Sequence, residues 1–179
     1  MDYSYKEVSE VKGFLEEPPF AGVAKDGDRS ALPKGSELNA CGLKLSNNLL
    51  TNLDGLAEFL ETVLDDPSEL RWIDLSHNQL TSVDPVLFNY PKLSCIYLHG
   101  NQIASFKEVE KLSYMENLAK LTMHGNPVEE LPNYRLRVPA AISTLRSLDF
   151  IGITKLDRDK IDMFDRSRKA ARERWLMTH

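Results

Sequence analysis

Two histidines are the first residues of this chain whose type and spacing could do chemistry. His99 and His124 each open a His-Gly-Asn triplet. If they hold equivalent slots of adjacent repeating units, their side chains lie about 5 Å apart, one strand spacing. Such a pair could hold a metal ion, with Asp74 or Asp149 adding a ligand. Its setting argues against that. A His before Gly-Asn belongs to a turn and can hydrogen-bond its neighbours, and two His without a third clear ligand are a weak zinc signal. Asp26, Asp28, Ser30 and Glu37 match four ligand positions of a calcium loop, but Ala31 stands where that loop needs Gly. Pro33 and the missing flanking helices spoil the rest. The chain has neither a Gly-Lys-Ser/Thr phosphate cradle nor a Gly-x-Ser-x-Gly elbow. A metal-dependent hydrolase using His99 and His124 stands as an alternative; the expectation is no catalytic residue, metal, cofactor or small-molecule substrate.

A second group of residues points to binding. Trp72, Asp74 and Ser76; Cys95, Tyr97 and His99; Lys120, Thr122 and His124; and Ser147 and Asp149 all flank buried positions of short strands. They should share one face. Trp72 and Tyr97 on neighbouring strands give an aromatic patch beside charges, and Trp and Tyr are common anchors of protein interfaces. The competing reading is that they only cover the sheet or touch the chain's own N-terminal arm. The expected protein-binding residues are Trp72, Asp74, Tyr97, His99, Lys120, Thr122, His124 and Asp149.

These residues are positioned by a repeat. In Leu70-Arg71-Trp72-Ile73-Asp74-Leu75-Ser76-His77-Asn78-Gln79-Leu80, apolar residues hold the first, fourth, sixth and last positions, and Asn the ninth. The pattern recurs at Leu93, Ile96, Leu98, Asn101 and Ile103, and at Leu118, Leu121, Met123, Asn126 and Val128. Ala40, Leu43, Leu45, Asn48 and Leu50 make a further copy. Alternation around Ile73 and Leu75 buries one face of a short strand. The ladder Asn48, Asn78, Asn101 and Asn126 turns inward, where an amide can satisfy backbone groups of the neighbouring coil. One coil cannot bury its apolar edge alone, so coils stack and their strands form a parallel sheet.

The segments between strands read as convex structure. Asp54 to Asp65 forms a helix with Leu56, Phe59, Leu60, Val63 and Leu64 on one face and Pro67 beyond its end. Asp84-Pro85 opens a short helical turn, and Phe106, Val109, Leu112 and Met115 fill the next coil. Pro132 to Ile142 is helical up to a kink near Pro139. Leu145, Leu148 and Phe150 repeat the apolar strand positions without a following Asn, which marks a closing strand. Residues 1–36 form an arm outside the repeat. Within it, Tyr5 to Glu17 reads as an amphipathic helix bearing Val8, Val11, Phe14 and Leu15, and the arm packs on the first coil or a partner, or stays mobile. Residues 37–154 hold the repeats and cap. Residues 155–179 form a last helix with Ile161, Phe164, Ala171 and Trp175 on one side. Its basic residues Arg166, Arg168, Lys169, Arg172 and Arg174 suit an acidic surface.

At 179 residues the chain has the length of one domain. A formal charge of -5 speaks against generic nucleic-acid affinity, and so against an RNA-complex component. No apolar run approaches a membrane span, and no basic start precedes an apolar stretch. Cys41 and Cys95 lie two strands apart, roughly 10 Å, too far for a disulfide. The expectation is a soluble, intracellular protein from a reducing compartment.

The repeat resembles the leucine-rich repeat superfamily, L-x-x-L-x-L-x-x-N-x-L. Within it the chain is similar to the short-repeat group that includes a nuclear regulator of protein phosphatase and a dynein light chain. Asn133-Tyr134-Arg135 through Leu145 and Leu148-Asp149 resemble that group's C-terminal cap. A closer resemblance, to one subfamily, is carried by Leu70–Asn78, Thr81–Leu87, Tyr97–Asn101, Leu121–Pro127 and Asp149–Arg158. It also includes Asp2-Tyr3-Ser4-Tyr5 and Glu16-Glu17-Pro18. The resemblance implies an α/β leucine-rich repeat solenoid with a short parallel concave sheet, convex helices and a C-terminal cap. It also implies a non-enzymatic scaffold or adaptor of the ciliary axoneme, with axonemal or microtubule-associated protein partners. A regulatory subunit docking on a phosphatase or another enzyme is the alternative.

Overall fold

A computed structural model describes residues 1–17, 19, 42–64 and 66–178. Among these, six short strands form one sheet in chain order: β1 (Gly42–Lys44), β2 (Trp72–Asp74), β3 (Cys95–Tyr97), β4 (Lys120–Thr122), β5 (Ser147–Leu148) and β6 (Ile151–Gly152). The first five run parallel. Leu43, Ile73, Ile96, Leu121 and Leu148 pair in one unbroken row, so a single register runs through the stack. These five side chains are at most 2% exposed. One core runs from Tyr3 to Leu148. The expected slots Ala40, Cys41, Asp26, Asp28, Ser30 and Glu37 lie outside the described residues.

Two sets of hydrogen bonds join the coils. Each Asn reaches back toward the N-terminus. Asn78, Asn101 and Asn126 accept through Oδ1 from the N–H groups of Leu50, Leu80 and Ile103 at 2.9–3.0 Å. Their Nδ2 groups donate to the carbonyls of Leu45, Leu75 and Leu98 in the preceding coil. The backbone reaches forward instead, with Leu45, Leu75 and Leu98 donating to the carbonyls of Asp74, Tyr97 and Thr122. An Asn amide does both jobs because it carries donors and an acceptor on one short stem.

Behind the sheet lie α1 (Leu56–Val63), α2 (Phe106–Lys111) and α3 (Tyr134–Ala141), with single 3-10 turns at Pro67–Glu69, Pro85–Asn89, Leu112–Tyr114 and Pro127–Glu130. The turn at Pro85 starts as its sequence dictates: Asp84 caps it by accepting from the Val86 N–H, and Pro85 sits where no donor is needed. In α1, Leu56, Phe59 and Leu60 are buried and Val63 is half-buried, as is Leu64 just beyond the helix end.

Three expectations need correction. Tyr5 to Glu17 is not an amphipathic helix; only Val11–Leu15 makes a 3-10 turn, and Leu15 is exposed. The chain start instead imitates a coil. The Met1 carbonyl accepts from Lys44, while the N–H groups of Tyr3 and Tyr5 donate to Lys44 and Ser46. Asn48 accepts from the N–H groups of Lys6 and Val8 and donates to the Tyr3 carbonyl. Tyr3 and Phe14 then pack edge-to-face and tilted around Phe59, closing the apolar edge. Second, Phe150 does not repeat an apolar strand position. Asp149 and Phe150, at φ 51° and 63°, form a two-residue reversal between β5 and the antiparallel β6. Third, the side that Ile161, Phe164, Ala171 and Trp175 share is buried only at its start. Helix α4 (Lys155–Thr178) buries Ile161 and half-buries Phe164, but from Arg166 onward every residue through Thr178 is exposed.

Candidate protein-binding face

The open face of the sheet carries three rows of side chains. Trp72, Cys95 and Lys120 are in register in the first, and Asp74, Tyr97 and Thr122 in the second. The third follows the strands: Ser46, Ser76, His99 and His124. The Trp72 indole lies against Gly42, where a Cβ would overlap it. Asp74 accepts from both the N–H and the hydroxyl of Ser76, at 3.0 and 2.6 Å. The corresponding Ser46 hydroxyl is buried and has no hydrogen-bond partner among the described residues, because Lys44 stands in the aspartate's place. Trp72, Asp74, Tyr97, His99 and His124 are half-buried, and Lys120 is exposed.

The C-terminal half of this face is an aromatic cluster. His99 and His124 stack with centroids 4.6 Å apart and planes 9° from parallel, and His77 meets His99 edge-on at 5.0 Å. Phe150 leans over Tyr97, His99 and His124 at 5.7–5.8 Å. The His-Gly-Asn turns make the stack possible. Gly100 and Gly125 hold φ of 68° and 69°, a region open to glycine, and a Cβ on Gly100 would press within 2.6 Å of the His77 ring. His77 occupies the same turn slot at φ 52°.

Two residues expected on this face are not available to a partner. Thr122 is buried, 2% exposed, because His99 folds over it with Nδ1 2.8 Å from its hydroxyl. Asp149 turns inward to cap the last coil. Its Oδ1 accepts from the N–H groups of Met123 and His124 at 2.7 and 3.0 Å, and its Oδ2 from the Tyr134 hydroxyl at 3.1 Å. In earlier coils the N–H equivalent to Met123's donates to the next strand's carbonyl; here the chain has turned away and a carboxylate stands in. Glu129 does the same for the Gly125 N–H at 2.6 Å. Cys95, placed outward, is also buried. Phe150 is the residue that sequence reasoning missed. It is 66% exposed and shares the face with Tyr97.

Burial sets the protonation of His99, Tyr97 and Cys95. Desolvation, then the positive charges His124 and His77 would carry, hold His99 below the ordinary histidine value, against the pull of Asp74 and Asp149. Burial and the bond to Cys95 push the Tyr97 hydroxyl well up, and burial raises the Cys95 thiol. At neutral pH the face is thus uncharged along His99 and Tyr97, flanked by Asp74 and Lys120. Among the described residues no group of three or more His, Cys, Asp or Glu is placed to hold a metal, and no helix is long and apolar enough to cross a membrane.

Stacked parallel strands, an inward Asn ladder and an open polar-aromatic wall define a leucine-rich repeat protein. The leucine-rich repeat family model matches residues 38–174, and the chain belongs to that family, a class of protein-interaction modules. Within it the chain is 37% identical to leucine-rich repeat-containing protein 51 of Pan troglodytes over 176 residues, 98% of this chain and 90% of that one. The Homo sapiens protein of that name is also 37% identical, over 175 residues, 98% of this chain and 89% of that one. Among solved structures, the Drosophila melanogaster SNF/U2A' complex matches at a TM-score of 0.61 and 26% identity, covering 76% of each chain.

Proposed function

We propose that this protein is a non-enzymatic scaffold or adaptor of the ciliary axoneme, binding a protein partner across the open sheet face. The observation that carries the reading is the wall itself. Trp72, Tyr97, His99, His124 and Phe150 remain partly or largely exposed although each rests on a rigid, hydrogen-bonded sheet. Phe150 sits at φ 63°, a conformation costly for a bulky side chain. Strain of about 1–3 kcal/mol persists where surrounding structure enforces it and clusters at functional sites. Resemblance to a group that includes a dynein light chain supports the axonemal and cytoplasmic placement.

The test is fractionation of ciliated cells expressing a tagged chain. The wild type should stay with detergent-extracted axonemes. The double variant Trp72→Ala/Tyr97→Ala should move to the soluble fraction while keeping its circular dichroism spectrum. A wild-type chain found wholly in the soluble fraction contradicts the proposal. So does axonemal retention unchanged in the double variant. Co-purified phosphatase activity lost in that variant would favour the enzyme-docking reading instead.

A further inference from the structure

The second half of α4 is a charged arm with a patterned side. The helix is anchored at its start: Arg158 donates to the carbonyls of Pro139 and Leu145, and Ile161 is buried. Beyond Asp165 it leaves the body, and Arg166 to Thr178 extend about 20 Å at 1.5 Å per residue. On this arm Arg166, Arg168, Lys169, Arg172 and Arg174 stand against Glu173, in a chain whose formal charge is -5. Lys169 pairs back to Asp165 at 2.6 Å, and the four arginines remain exposed.

The seam that packs on the cap continues onto the arm. Ile161, Phe164, Arg168, Ala171, Trp175 and Thr178 alternate at spacings of three and four, the a and d positions of a heptad. Ser167, Arg172 and Arg174 fall on the flanking e and g positions. We infer that the exposed seam of α4 is a docking site for an acidic amphipathic helix of another protein. Ala171 leaves room for an incoming side chain, Trp175 offers an anchor, and Arg172 and Arg174 match carboxylates along the partner's edges. A second copy of this chain would bring arginines against arginines at those edges. Trp175, Leu176 and Met177 project in three directions around the helix, so no single apolar face suits a bilayer. Against a phosphate backbone those apolar groups would stay in water.

The site is separate from the open sheet face, and its test does not depend on that face. A fluorescent helical peptide with Leu at a and d and Glu at e and g is titrated into the full-length protein. Its counterpart with Lys at e and g is the control. The Glu peptide should bind at least about tenfold tighter than the Lys peptide, a difference that shrinks with salt. Arg172→Glu/Arg174→Glu should reverse the preference, Trp175→Ala should weaken binding, and Trp72→Ala should change neither. Equal binding of the two peptides, no binding at millimolar peptide, or binding indifferent to the α4 substitutions would overturn the inference. So would tighter binding of single-stranded RNA or anionic vesicles, or a dimer in sedimentation equilibrium that blocks the peptide.

Discussion

The two ends of the stack solve one problem in opposite ways. At the N-terminal end the chain lays down half a coil, and Asn48 binds it as every other Asn binds the coil before it, donating to Tyr3 and accepting from Lys6 and Val8. At the C-terminal end the groups left over are N–H donors, and two carboxylates, Asp149 and Glu129, receive them. An Asn fits where carbonyls and N–H groups both need a partner; an Asp fits where only donors remain. The stack therefore continues while each coil supplies an amide, and it ends where carboxylates receive the N–H groups that no further strand carbonyl meets.

Exchanging the two side chains is the sharpest way to break this comparison. Asn48→Asp puts a carboxylate against the carbonyls of Tyr3, Leu45 and Ser46. An uncompensated buried charge of this kind should cost about 3–5 kcal/mol. At about 3 °C per kcal/mol for a chain of this size, calorimetry should show a Tm lowered by about 10 °C or more. Asp149→Ala orphans the N–H groups of Met123 and His124 and the Tyr134 hydroxyl, for about 2–3 kcal/mol by denaturant unfolding. Asp149→Asn keeps one acceptor and should cost about 1 kcal/mol. If Asn48→Asp proves no worse than Asp149→Asn, the two ends do not differ as described.

A smaller effect separates stability from binding. Phe150→Asn places a residue tolerant of positive φ in the hairpin. It should leave stability unchanged or raise it by about 1 kcal/mol, while loosening the contacts over Tyr97, His99 and His124. A loss above that size would mean that the Phe150 ring holds the cap together. The smallest effect is on pH. His99 titrates lower in the folded protein than its ordinary 6.5, so the unfolded chain takes up the proton first. This contribution to stability is complete above about pH 6.5 and is lost as pH falls below it. His99→Gln should flatten that part of the pH–stability curve.

The repeat was legible because its signals are periodic. Leu43, Ile73, Ile96 and Leu121 follow from alternation, and the Asn ladder from its fixed offset. What escaped was local substitution. Asp2-Tyr3-Ser4-Tyr5 parallels Asp74-Leu75-Ser76-His77, down to the positive φ of Tyr5 and His77, but Tyr for Leu and Lys6 for Asn hid the half coil. Thr122 sits in an outward row and is lost to partners because His99 covers it, a packing fact that no spacing encodes. Phe150 looked like one more apolar strand residue, since nothing in Asp-Phe announces a two-residue reversal. The cluster of His77, His99 and His124 was half visible: two members shared a triplet, and the third lay in the glycine slot.

Photo-crosslinking from the open face tests the account most directly. A benzophenone side chain is placed at Tyr97 and, as control, at the exposed Tyr114 in the turn outside the sheet. Irradiation in ciliated cells should join position 97 to a discrete protein partner, with nothing comparable from position 114. Identical crosslinks from both positions, or none from position 97, would contradict the assignment of this face.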